Sequence, residues 1–351
     1  ARVGHIRVFA GLAASAAVGT LILVLVIDPY VWAPVRTLMG FCFSGLLTTV
    51  ESWINARTPN SDRGRVLSIY RLIDLAGVTG GQFLLPLFAV QGFAIFAITA
   101  ILFCLSLVPI CLADRSRPKA PAEYRFNIPA IWRLSPLACI GCVAIGLTNS
   151  AVRLIGPLYA KEIGLDTAGV ALFVSAGVIG GAALQFPFGW LSDRYGRRSS
   201  IMLATGGAVL AGLFLSLYAR SPMEVYIGAF AFGAFALPLY SLSAAHANDR
   251  ADDDSYVIVA AGLTFFFSLG AVIGPLVASV VIEHFGPPAF FTYTSLVHGS
   301  LILITLYRIT RRPAVPRESR RPFVSLLRTS PAFFRLARVV KPKRAKRAKR
   351  K

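Results

Sequence analysis

Charge is what this 351-residue sequence has least of. Charged residues make up 15% of it, where a soluble protein carries about a quarter. That scarcity argues against a set of soluble domains with hydrated surfaces. Histidines are equally sparse, four of them at positions 5, 246, 284 and 298. No second cysteine pair and no neighbouring histidine completes the formal CxxC of Cys139 and Cys142, so no zinc site is expected. A membrane-embedded enzyme needs a convergent His/Asp/Glu set or a metal cluster, and none is visible; the chain is not read as an enzyme, and no cofactor is expected. There is no GxxxxGK[ST] loop, which argues against ATP as the energy source. The cysteines at 42, 104, 111, 139 and 142 all lie in apolar stretches and read as packing residues.

What the sequence does have is apolar length. Hydrophobic residues account for 56%, and the mean hydropathy is +0.66. The apolar residues fall in blocks divided by short polar punctuation. A bilayer core of about 30 Å needs roughly 20 helical residues to cross it. Ten blocks meet that length, near 8–27, 34–55, 66–90, 92–112, 134–159, 167–191, 200–219, 223–246, 256–282 and 287–307. The expected fold class is an all-α polytopic membrane protein.

The net charge of +20 is unevenly placed. Residues 308–351 hold 17 Lys/Arg and one acidic residue, Glu318, so most of the excess belongs to a tail ending in KPKRAKRAKRK. Such a tail reads as a disordered arm that meets anionic lipid headgroups, and no nucleic-acid partner is expected. The loops 1–7, 56–65, 113–133, 192–199 and 247–255 carry 14 basic residues, while the alternate loops carry only Lys161 and Arg220. The positive-inside rule puts the first set and both ends of the chain in the cytoplasm.

An internal repeat is visible. GFCFSG (40–45) matches GAFAFG (228–233) at a spacing of 188, and Gly81 with Pro86 matches Gly270 with Pro275 at 189. Arg2 and Gly4 match Arg194 and Gly196 at 192. Three matches in order at nearly constant spacing indicate two parallel halves. In the second half, residues 134–192 precede the matched segment. The expectation is that the first half lacks its first two spans, about 60 residues, as an N-terminally truncated repeat.

Between the sixth and seventh blocks runs GWLSDRYGRR (189–198). Its order of Gly189, Leu191, Asp193, Arg194, Gly196, Arg197 and Arg198 resembles the G-x-L-x-D-R-x-G-R-R signature of the major facilitator superfamily (MFS). The resemblance covers the chain except its tail. It implies a fold of two six-helix bundles: 1–112 as a partial N-terminal bundle equivalent to helices 3–6, 113–133 as a cytoplasmic central loop, 134–308 as the C-terminal bundle, and 309–351 as the basic cytoplasmic tail. It also implies a gate in which Asp193 caps a neighbouring helix N-terminus or pairs with Arg194 or Arg197. ESWIN (51–55) is similar to a stretch in uncharacterised bacterial inner-membrane permeases, which implies a multi-pass protein of a bacterial inner membrane, acting as a monomer. The fifth-helix pattern of drug/proton antiporters is poorly met, since the proline of GVTGGQFLLP (77–86) comes late.

Polar residues inside the spans are the remaining candidates, because ionisable groups in a bilayer face a cavity or a partner. Arg36, in RTLMGFCFSG, either resembles the superfamily's R-x-x-x-G motif near the substrate path or snorkels to the headgroups. Glu51 and Arg71 lie at similar depth on antiparallel helices, and Asp74 shares the face of Arg71; they read either as a structural ion pair or as part of coupling. Asn149 and Arg153 share a face, as do Tyr240, Ser243 and His246. The resemblance implies that these helices line the cavity. Gln185 is a further candidate, with an interhelical hydrogen bond as the alternative for each; His298 reads as a packing residue. The expected function is secondary transport of a small molecule by alternating access. Proton coupling is favoured because Glu51, Asp74 and His246 can titrate. The alternatives are a non-transporting sensor or scaffold and an inactive transporter fragment.

Overall fold

Backbone N–H and C=O groups find no partner in hydrocarbon, so a chain this apolar must satisfy them within each segment. A computed structural model describes residues 5–57, 63–84, 87–88, 92–112, 128–251 and 256–311. Among them every regular element is a helix. The first four are α1 (His5–Leu25), α2 (Pro29–Arg57), α3 (Arg63–Leu84) and α4 (Phe93–Leu112). Then come α5 (Ile128–Leu134), α6 (Pro136–Leu154), α7 (Gly156–Glu162), α8 (Thr167–Tyr195) and α9 (Arg197–Leu217). The series ends with α10 (Pro222–Ala236), α11 (Leu239–Asn248), α12 (Tyr256–Phe285) and α13 (Ala289–Arg311).

Among the described residues nine segments are long and apolar enough to cross a membrane. The expected third span, 66–90, is α3 as far as Leu84 and is not one of the nine. Arg71, Asp74 and Gln82 dilute its apolar run. The expected eighth span forms two helices, α10 and α11, which meet at Pro238, the N-cap of α11, whose nitrogen has no hydrogen to donate. Its first end is fixed by a capping box, in which Ser221 accepts from the Glu224 amide and the Glu224 carboxylate accepts from the Ser221 amide.

The stretch 113–133, expected as loop, contains α5. Seven residues do not hold a helix by propensity; tertiary contacts do. Ile131 is buried against α12 at Gly262, and the Trp132 ring lies 5.9 Å from that of Phe266. Cys139 and Cys142 are buried in α6, and the Cys139 thiol reaches the Ile131 carbonyl at 3.7 Å. The side chain of Cys111, the residues 113–127 and the basic tail beyond Arg311 lie outside the described residues.

The chain divides into two compact units, Ala1–Glu123 and Tyr124–Lys351. In the second, α6 runs along α12, α8 along α10, and α9 against α13. Without water to drive helices together, close van der Waals contact is the main attraction between spans. The α6–α12 seam achieves it with glycine: a Cβ on Gly146 would strike the Phe267 carbonyl, and one on Gly270 the Val143 carbonyl. Tyr159 of α7 packs into rings from α8 and α13, with centroids 5.0 Å from Phe291, 5.7 Å from Phe290 and 5.8 Å from Phe173. His298 is fully buried, its ring 2.9 Å from the Thr294 carbonyl and 3.5 Å from the Thr148 hydroxyl.

In the first unit α1 packs against α2 and α4 around Phe9, Ala13 and Leu46. This is the arrangement of α9 with α10 and α13. Helices α1 and α9 are both 21 residues long and start 192 residues apart, the spacing of the Arg-x-Gly match. Among the described residues the first unit has no counterpart of α6 and α8.

Candidate functional site

The motif GWLSDRYGRR is a helix–turn–helix whose turn is one residue long. Helix α8 ends at Tyr195 and α9 begins at Arg197, leaving only Gly196 between them. Gly196 has φ 112° and ψ 152°, a region closed to residues with a Cβ. Its amide donates to the Ser192 carbonyl at 3.2 Å, and its own carbonyl accepts from the Ser200 amide at 3.2 Å. One residue thus closes α8 and opens α9. Gly189 is buried about two turns earlier in α8.

So tight a turn sets Arg197 four residues after Asp193 on adjoining helices. The Arg197 side chain is 4% exposed. Its Nη1 donates to Asp193 Oδ1 at 2.6 Å and to Ser192 Oγ at 2.9 Å. Its other edge is directed to Asp249: Nε to Oδ2 at 2.8 Å and Nη2 to Oδ1 at 3.3 Å. Asp249, whose side chain is 1% exposed, caps the end of α11. One buried guanidinium therefore ties together the end of α8, the start of α9 and the end of α11. The two acids differ in setting, because the Asp193 side chain is 42% exposed. Asp193 is open to water; Asp249 is not.

Arg194, the neighbour of Asp193 in sequence, is turned elsewhere. The carbon of its guanidinium lies 5.3 Å from the Trp190 ring centre and 5.7 Å from that of Tyr195. Between the two partners open to Asp193 by sequence, the geometry selects Arg197. Arg198 lies half-buried beside it in the first turn of α9.

Sequence reasoning missed Asp249 altogether, having placed it in a loop. A signal was available. An acid at a helix C-terminus opposes the helix dipole and calls for a cation. Arg250 is next in sequence but lies across His246, with Nη1 3.2 Å from Nε2 and 3.1 Å from the His246 carbonyl.

The other candidates scatter. Gln185 donates to Ser241 Oγ at 2.8 Å, joining α8 to α11. Tyr240 is buried, its hydroxyl 3.3 Å from that of Thr264 and its ring edge-on to Phe267. Ser243 is buried against α6 at Gly141, and His246 is buried three residues on. Asn149 and Arg153, one turn apart on α6, separate by burial: Asn149 is interior with an unpartnered Nδ2, and Arg153 is exposed. In the first unit Arg36 is exposed and Asp74 half-buried, while the side chains of Glu51 and Arg71 lie outside the described residues.

Helices in two units, a repeat between them, and an acid–arginine cluster around a one-glycine turn together describe one architecture. A family model described as "Major Facilitator Superfamily" matches residues 1–140 and 137–341. The chain belongs to the major facilitator superfamily. It is 26% identical over 310 residues to an uncharacterised MFS-type transporter of Yersinia pestis, covering 85% of this chain and 76% of that protein. It is also 26% identical over 286 residues to the uncharacterised MFS-type transporter YfkF of Bacillus subtilis, covering 78% and 71%. Among solved structures, the nucleoside transporter NupG superposes with a TM-score of 0.71 at 14% identity, over 87% of this chain and 84% of that one. The fucose:proton symporter FucP of E. coli gives 0.54 at 14% identity, over 87% and 83%. At such identity these likenesses establish the fold. The chain is a multi-pass MFS membrane protein, and its family is one of transporters.

Proposed function

We propose that this protein is a secondary transporter that moves a small molecule by alternating access, with its motif loop acting as a cytoplasmic latch. The observation that carries the reading is the asymmetry of the Arg197 cluster. Asp249 holds the guanidinium permanently, while the half-exposed Asp193 can exchange it for water at little cost. A gate needs such an interaction: strong enough to favour one conformation, weak enough to release. With its acid open to water, such a pair is worth about 1 kcal/mol, which shifts a two-state equilibrium severalfold without locking it.

Both chain ends face the cytoplasm of a bacterial inner membrane in this reading, supported by the bias of Lys and Arg among the loops. A proton gradient is the proposed energy source, with Glu51, Asp74 and His246 as the titratable groups within the helices. If both face the cavity, Arg36 and Arg153 favour an organic anion as substrate. The division into a partial bundle (1–112), a central loop (113–133), a six-span bundle (134–308) and a headgroup-binding tail (309–351) belongs to the same proposal.

The test is uptake into proteoliposomes loaded with a pH gradient and a panel of labelled organic anions, sugars and nucleosides. The expected result is accumulation of an anion that collapses with a protonophore. No accumulation of any solute, by a protein that binds one, would favour a sensor instead.

A further inference from the structure

Helix α11 ends in a way that the latch alone does not explain. The last four carbonyls of an α-helix lack intrahelical donors and need others. In α11 three of them take backbone amides: Ala245 from Asp249 at 3.0 Å, Ala247 from Arg250 at 3.0 Å and Asn248 from Ala251 at 3.2 Å. The fourth, the His246 carbonyl, accepts from the Arg250 side chain, with Nη1 at 3.1 Å. The same Nη1 lies 3.3 Å from His246 Nδ1 and 3.2 Å from Nε2. A donor in the plane of the ring cannot come so evenly close to both nitrogens without striking the carbon between them, so Nη1 lies over the flat face. A guanidinium is attracted to the face of a neutral ring and repelled by a protonated one. Among the described residues, the charged groups around His246 are Arg250 and Asp249 on α11 and Arg197 and Arg198 on α9. Asp193 of α8 joins them through Arg197, and Arg308 of α13 acts on Arg198. Helices α6 and α12 bring no charge to this level, since their first charged residues are Arg153 and Glu283.

We infer that His246 is a neutral platform for Arg250: the guanidinium, held between the ring face and the carbonyl, closes the end of α11 and so fixes Asp249 as the anchor of Arg197. Asp249 needs that support, because an acid at a helix C-terminus opposes the dipole and a cation there offsets it. His246 is thereby a positioning residue of the latch and not a carrier of the coupling proton. Of the titratable groups within the helices, Glu51 and Asp74 are left for that task. The consequence for transport rests on the latch reading proposed above; the platform itself does not.

Nitrogen magnetic resonance of the full chain with isotope-labelled histidine, in lipid nanodiscs, tests the platform without any substrate. The His246 signals are those lost in His246→Phe. The expected result is the widely separated pair of ring-nitrogen shifts of a neutral imidazole throughout the range, about pH 5.5 to 8, in which histidines exchange protons with water. Reversible unfolding in mixed micelles is the second measurement. His246→Ala should lower the folding equilibrium about tenfold, the order expected when a cation loses a desolvated aromatic face. His246→Phe, which keeps a flat face but cannot take up a proton, should recover most of that loss. In an Arg250→Gln background His246→Ala should cost severalfold less, since the ring acts through Arg250. Uptake then bears on the proton: whatever rate His246→Phe shows should still collapse with a protonophore. A His246 ring that gains a proton within that range would overturn the inference. So would equal losses for Phe and Ala, or an undiminished loss in the Arg250→Gln background. Uptake by His246→Phe that ignores the protonophore would return the coupling proton to His246. If the chain carries no solute at all, the first two measurements still decide the platform, and that failure falls on the transport reading alone.

Discussion

If Asp249 anchors Arg197 and Asp193 merely latches it, removing the two acids must have unequal consequences. Asp249→Asn preserves size but leaves a guanidinium 4% exposed without its two-pronged partner. Breaking a buried pair from one side costs about 3–5 kcal/mol, because the surviving charge stays buried and uncompensated. The Asp193→Asn variant removes a partner that is 42% exposed, where water substitutes readily and the loss is about 0.2–1 kcal/mol. Arg197→Met removes the two-pronged partner of the buried Asp249, so its cost should resemble that of Asp249→Asn. In the double variant Arg197→Met/Asp249→Asn no buried charge is left unpaired, so the combined loss should fall well below the sum of the singles. Reversible unfolding in mixed micelles, applied to wild type, the three single variants and the double variant, measures each quantity. Uptake then separates the roles. Asp193→Asn should fold normally and transport slowly, while Asp249→Asn should be damaged in both respects. Additive losses for Arg197 and Asp249, or equal costs for the two acids, would refute the anchor-and-latch assignment.

Other expectations follow from the same structure. Gly196→Ala forces a Cβ into a backbone region reserved for glycine, at about 1–3 kcal/mol, and should lower the unfolding midpoint more than Ala at Gly206, which has open space around its Cβ position. Gly146→Ala should separate α6 from α12, since its Cβ would meet the Phe267 carbonyl; the measured sign is a lower yield of folded protein in detergent. Gln185→Leu and Ser241→Ala each break one interhelical bond worth about 0.6 kcal/mol and should leave KM unchanged, whereas a raised KM for the Gln185 variant alone would make it a substrate contact. Deleting residues 313–351 should leave transport intact, and the soluble 313–351 peptide should bind anionic vesicles but not neutral ones, less tightly as salt rises.

The spans were legible because one strong constraint dictates them: a bilayer forces about 20 apolar residues into a helix, and the sequence obeys it almost throughout. The exceptions are instructive. Pro238 breaks a span where hydropathy alone sees continuity, and α5 forms where composition suggests loop, because Ile131 finds a glycine-lined recess on α12. Periodicity carries no information about such a recess; it exists only once the chain has brought α5 against Gly262 of α12. The motif loop was legible as a unit, since Gly196 announces a positive φ and places Arg197 one turn beyond Asp193.

What the sequence concealed is which arginine does what. Arg194, Arg197 and Arg198 are equivalent in a string, each a cation near an acid. The one-residue turn rotates them to different faces, so that Arg197 goes inward to Asp249, 52 positions away, and Arg194 goes outward to the rings of Trp190 and Tyr195. Asp249 itself fails to stand out among Asp252, Asp253 and Asp254, three further acids nearby in the same loop. Only its place at the end of α11, where the dipole disfavours an acid, marks it as needing a buried cation. A motif read by residue type finds the latch; finding its anchor requires asking, of each charge at a helix end, what neutralises it.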